Sequence, residues 1–182
     1  MNILTKRLPN AARSCLGFAL ALVGVAAIAA STPLPERVQV TWAPTETLSE
    51  VKDNPMQRGW LRPKDWTKDL GDHLRKRADV ILPAGEQLTV SIDDIKLAGA
   101  FEPWSGPAAQ DIRFLKDIYP PRMDLHYSLS RADGTLIREG QSRLRDGAYL
   151  QHTVTTSSDP LRYDKRMIDV WLRKEFGPGS AK

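Results

Sequence analysis

The apolar residues of this chain fall into three kinds of run. From Ser14 to Ala30 they form one uncharged block; elsewhere they recur every second residue, as in strands, or along one helical face. Val38, Val40 and Trp42 alternate with Gln39 and Thr41, which predicts a short half-buried strand ended by Pro44, after an extended lead-in over Ser31–Arg37. Thr45–Arg62, interrupted by Pro55 and Gly59, reads as a loop with room for one helical turn. Trp66, Leu70, Leu74 and Ala78 then repeat every four residues behind Pro63, predicting a helix from about Pro63 to Ala78. Leu82–Gly85 is a turn. Leu88, Val90 and Ile92 make a second strand, whose parity slips at Asp93-Asp94 before Ile95 and Leu97, the mark of a β-bulge.

The longest irregular stretch, Gly99–Pro121, carries four of its prolines as Pro103, Pro107 and the pair Pro120-Pro121, with a helical turn expected at Asp111–Lys116. Loops of this length in a small domain tend to be functional or mobile. Met123, Leu125, Tyr127 and Leu129 alternate cleanly with Asp124, His126, Ser128 and Ser130, a third strand. Ala132-Asp133-Gly134 fits a hairpin loop, and counted as three residues it sets Leu129 opposite Ile137; the return strand to about Leu144 is otherwise polar, reads as an edge and does not fix its own register. A last helix follows, with Asp159 as N-cap and Pro160 as first residue. Leu161, Ile168, Trp171, Leu172 and Phe176 form its apolar stripe, and Gly177-Pro178 stops it. The order strand, helix, three strands, helix predicts a single α+β domain: an antiparallel or mixed four-stranded sheet with both helices packed on one face.

The N-terminal block changes how the composition is read. Lys6, Arg7 and Arg13 precede an apolar region built from Leu16, Phe18, Leu20, Leu22, Val23, Val25 and Ile28. Ala27-Ile28-Ala29 then fits an A-x-A cleavage site. Its 17 uncharged residues lie at the lower edge of what a membrane span needs. Residues 1–29 therefore read as a cleavable signal peptide and 30–182 as the mature domain, with a core over about 38–176. The mature chain would have no membrane span and would be periplasmic. Lys6-Arg7 is not a twin-arginine pair, which favours the general secretory route. The chain's single cysteine, Cys15, lies inside the apolar region and not at its end, so no lipid anchor is expected, and cleavage removes it. The mature domain must then be held by its core without disulfides. Cleavage also removes three of the 26 Lys and Arg and none of the 22 Asp and Glu, leaving 23 against 22, a net charge of +1. The overall basicity is therefore mostly the leader's and is no sign of nucleic-acid binding.

Few residue groups suggest chemistry. There is no Gly-x-Ser-x-Gly elbow and no glycine-rich phosphate loop, and the mature chain lacks a thiol nucleophile. His126 shares a strand face with Asp124, but no third metal ligand stands at a fitting spacing, and nothing calls for a cofactor. His73 borders an apolar helical face, and His152 lies in a Thr- and Ser-rich loop. The most unusual run is Asp111–Arg122, where opposed charges interleave with bulky apolar residues before a double proline. One reading pins this loop to the core by its apolar residues; the sharper one gives Arg113, Lys116, Asp117, Tyr119 and Arg122 to an anionic ligand or a partner's carboxylates. A hydrolytic alternative uses Asp94 or Asp117 with His126.

Three stretches carry a resemblance: Asp94-Ile95-Lys96-Leu97-Ala98-Gly99; Asp111-Ile112-Arg113 through Lys116-Asp117-Ile118-Tyr119 to Pro121-Arg122; and Tyr163-Asp164-Lys165-Arg166-Met167-Ile168-Asp169 with Trp171. They resemble the family catalogued as domain of unknown function 3016, small exported proteins of proteobacteria, over about Val38–Phe176. Lys96 departs from the acidic residue usual before Leu-Ala-Gly in that family. The resemblance implies export and a single domain, and brings no activity, catalytic residue or cofactor. The expectation is a non-catalytic periplasmic binding or accessory protein of the cell envelope, acting on an envelope protein or an anionic ligand.

Overall fold

The computed structural model describes residues 37–54, 62–152 and 158–179. The N-terminal block, Cys15, nearly all of the lead-in and most of the second half of the Thr45–Arg62 loop lie outside them. Four strands, given in their order across it, form one mixed sheet. These are β1 (Val38–Trp42), β2 (Glu86–Lys96), β5 (Arg122–Arg131) and β6 (Leu136–Arg145). The fold is α+β, as the alternating patterns imply. β1 runs parallel to β2 from Val38↔Leu88 to Trp42↔Ile92, and helix α2 (Pro63–Ile81) bridges the two. The other pairings are antiparallel. The single helical turn in the Thr45–Arg62 loop is α1 (Ser49–Lys52). Among the described residues no helix is long and apolar enough to cross a membrane.

One face of the sheet carries the core. Trp66, Leu70, Leu74 and Ala78 of α2 are fully buried against Leu88, Val90 and Ile92 of β2 and Met123, Leu125, Tyr127 and Leu129 of β5. Helix α3 (Arg162–Phe176) adds Met167, Ile168, Trp171, Leu172 and Phe176, preceded by buried Leu161. Tyr127, Trp171 and Phe176 meet edge to face, with centroids 5.2–5.9 Å apart. The β-bulge falls between Ile92 and Asp94, where it returns Ile95 and Leu97 to the interior.

Three local expectations are corrected. The hairpin loop does close over Ala132–Gly134, with Arg131 N–H donating to Thr135 O and Gly134 at φ 85°. The register then slips by one: Ser130 faces Leu136, but Leu129 faces Arg138 rather than Ile137. An unslipped ladder would turn Glu139, Gln141 and Arg143 toward the core; the extra residue instead brings in Gly140, Ser142 and buried Leu144. Second, α3 begins at Arg162, not at Pro160. Asp159 caps the preceding turn, accepting from Leu161 N at 2.8 Å and from Lys165 Nζ at 2.6 Å. Third, Asp111–Lys116 holds no helical turn. Arg113–Phe114 is a short strand, β4, pairing with β3 (Ala100–Phe101). Gly99 makes this return possible: it sits at φ 83°, and a Cβ there would lie 2.7 Å from Phe114 O.

Candidate functional site

The loop singled out in the sequence is built around two buried carboxylates. Glu50, fully buried in α1, accepts from Arg113 Nη1 at 2.7 Å, from Arg113 Nη2 at 3.2 Å and from Leu97 N at 3.0 Å. The same guanidinium donates to the carbonyls of Leu97, Ala98 and Gly99 at 2.7–2.9 Å. Its planar fork matches that turn in a way an ammonium could not. Glu102 accepts both bonds from Lys116 Nζ, at 2.7 and 2.8 Å, and one from Tyr119 Oη at 2.9 Å. The Lys116 ammonium holds the Glu102 carboxyl below its ordinary range, and that carboxylate in turn pushes the Tyr119 phenol up. Arg113, Lys116 and Tyr119 are thus spent on holding their own loop. Asp117 is exposed on that loop.

A third carboxylate closes this knot from the other side. Asp164, in the first turn of α3, accepts from Ala98 N at 3.1 Å, and its Oδ2 has no hydrogen-bond partner among the described residues. Burial pushes its pKa up to about 7 against the opposing pull of the Ala98 N–H and the Arg113 cation. The three stretches that carry the family resemblance therefore meet in space, through Leu97–Gly99, Arg113 and Asp164. A family model described as protein of unknown function (DUF3016) matches residues 36–174. The chain belongs to that family. No curated protein and no solved structure matches it. In this DUF3016 chain the shared stretches explain the architecture of the loop, and one side chain within them takes no part in that knot.

That side chain is Arg122. The antiparallel registers set Lys96 opposite Arg122 and Arg122 opposite Arg145, so three cations stand in a row across β2, β5 and β6. Like charges directly opposed weaken a sheet. Lys96 is relieved by Asp53 at 2.9 Å, whereas Arg122 and Arg145 have no carboxylate partner among the described residues. All three line a cleft of about 220 Å³ together with Asp53, walled by Ile118, Tyr119 and Pro120. Sequence reasoning found Arg122 and missed Lys96 and Arg145, because their adjacency exists only once both registers are known.

The hydrolytic candidates His126 and Asp94 each bond a different partner. His126 Nδ1 lies 3.1 Å from Asp93 Oδ2 on the sheet face away from the helices. Asp94 is instead taken by Ser49, through N at 2.6 Å and Oγ at 2.7 Å. Among the described residues no group of three or more His, Cys, Asp or Glu is placed to hold a metal ion. His73 bonds Asp169 at 2.9 Å between α2 and α3.

Proposed function

We propose that this DUF3016 chain is a non-catalytic binding protein of the bacterial envelope, exported to the periplasm through its N-terminal segment, that recognises an anionic group at Lys96, Arg122 and Arg145. The observation that carries the reading is the unneutralised Arg122–Arg145 pair at the mouth of the cleft. Two guanidiniums side by side cost stability unless an anion joins them, and their forks suit a carboxylate or phosphate. The hydrolytic alternative has less support, since the cleft is lined by neither His126, Asp94 nor Asp117.

The test is titration of the purified protein with inorganic phosphate and with citrate, followed by calorimetry. Saturable binding is expected, weakened roughly tenfold by Arg122→Ala or Arg145→Ala and unchanged by Asp117→Ala. Binding that ignores Arg122→Ala, or no saturation with either anion, would refute the assignment.

A further inference from the structure

A second cavity, a groove of about 570 Å³, lies between β6 and α3. The consecutive residues 141–146 all line it. Successive strand residues face opposite sides, so a cavity touching all five from Gln141 to Arg145 runs along the strand's edge and not over one face. β6 is the last strand of its sheet, which leaves one row of its backbone N–H and C=O groups without a neighbouring strand among the described residues. Buried Leu144, Met167 and Trp171 supply the groove's apolar wall.

The charges of the groove are unbalanced. Its two acids are engaged within the chain: Asp146 lies 3.4 Å from His152, and Glu175 accepts from Tyr127 Oη at 3.2 Å and lies near Arg138. Of its four cations, Arg143 stands opposite Asp124 in the β5–β6 register, and Arg145, Arg166 and Lys174 have no carboxylate partner among the described residues. Outside the described residues the chain has a single acidic side chain, Glu36. A carboxylate facing these cations would therefore come mainly from another molecule.

We propose that the groove takes an extended acidic segment of a partner protein, added as a further strand on the free edge of β6. Backbone hydrogen bonds to β6 hold the segment, and its alternate side chains divide between the apolar wall and the cations. The preferred sequence alternates apolar and acidic residues over the span of residues 141–146. A second copy of this chain is the wrong occupant: β6 itself carries three Arg and one Glu, so pairing it with its own copy sets cations against cations. This inference goes beyond the anion site, with which the groove shares only Arg145.

The experiment uses a short fluorescent peptide alternating Glu and Val, read by anisotropy, with amide hydrogen exchange on the complex. The peptide should bind saturably and slow exchange along β6. Methylating alternate backbone nitrogens of the peptide should abolish binding while leaving its charge intact, and the double variant Arg143→Glu/Lys174→Glu should weaken it by at least about tenfold. Both replaced side chains are exposed, and thermal melts confirm that the variant is folded. Arg122→Ala should leave peptide binding unchanged, and the double variant should leave phosphate binding unchanged, so each proposal fails separately. Equal binding of the methylated peptide, or of a Lys-Val peptide, would overturn the proposal, as would no binding. Loss of the peptide in Arg122→Ala would assign it to the cation row instead. Protection of β6 in the free protein, with concentration-dependent dimerisation, would give the edge to a second copy.

Discussion

Arg113 and Arg122 lie nine residues apart on one charged loop and strand, yet the structure gives them opposite duties. Removing Arg113 strands the fully buried Glu50 carboxylate and three backbone carbonyls, so Arg113→Ala should cost on the order of 3–5 kcal/mol in unfolding free energy. Arg122 is exposed, and Arg122→Ala should change stability by no more than about 0.5 kcal/mol while removing anion binding. Denaturant midpoints for the two variants decide this; equal losses would show that Arg122 is also structural. Asp164 gives a second test at this scale. Its folded pKa of about 7 lies above its ordinary 3.8, so the folded state binds the proton more tightly than the unfolded chain. The stabilisation is complete below the ordinary value and is lost as pH rises through about 7, by an amount on the order of a few kcal/mol. Asp164→Asn keeps an oxygen facing Ala98 N without the charge. It should flatten the dependence of the melting temperature over that interval, and an unchanged slope would assign it to other groups.

Among the elements, α3 rests on the aromatic contacts of Trp171, whose Nε1 also donates to Ser142 Oγ at 3.1 Å. Trp171→Ala should cost about 3–5 kcal/mol, against about 0.5 kcal/mol for exposed Lys174→Ala. Similar losses would mean that this helical face is not the one packed on the sheet. Elements with a strong period were legible in the sequence because period and burial coincide in them: Trp66 to Ala78, Met123 to Leu129, and Leu161 to Phe176. β6 was legible as an edge but not in register. Its slip is decided by which side chains the core admits at Glu139 and Arg143, and no local pattern encodes that. β4 escapes a sequence reading because its extended backbone comes from pairing with β3 across the Gly99 return, which no local periodicity marks. The same cause hid the candidate site: Arg122 stands out in a charged run, while Lys96 and Arg145 join it only through pairing.

For the whole molecule, the core is one continuous cluster reaching from Val38 to Phe176, with helices on one side of the sheet and a polar surface on the other. Residues 1–29, read from the sequence as a leader, lie outside the described residues. If the segment is removed on export, intact mass of protein recovered from the periplasm should begin at Ala30 or Ser31. A membrane-bound form retaining Met1 would refute the cleavage. The expected net charge of +1 for the mature chain also puts weight on local charge: with so little overall field, the cation row and the groove must act at short range, within a Debye length of about 8 Å at physiological salt.

The Glu50–Arg113 pair has a consequence for how this chain can diverge. It ties a turn near the start of the domain to a strand 63 residues later, and neither partner can change alone without leaving a charge buried. A Lys at 113 could meet the carboxylate but could not also serve three carbonyls, so drift through the nearest cation is closed as well. Across DUF3016 sequences the two positions should therefore vary as a pair or not at all, while Arg122, free of any such tie, is open to single substitution.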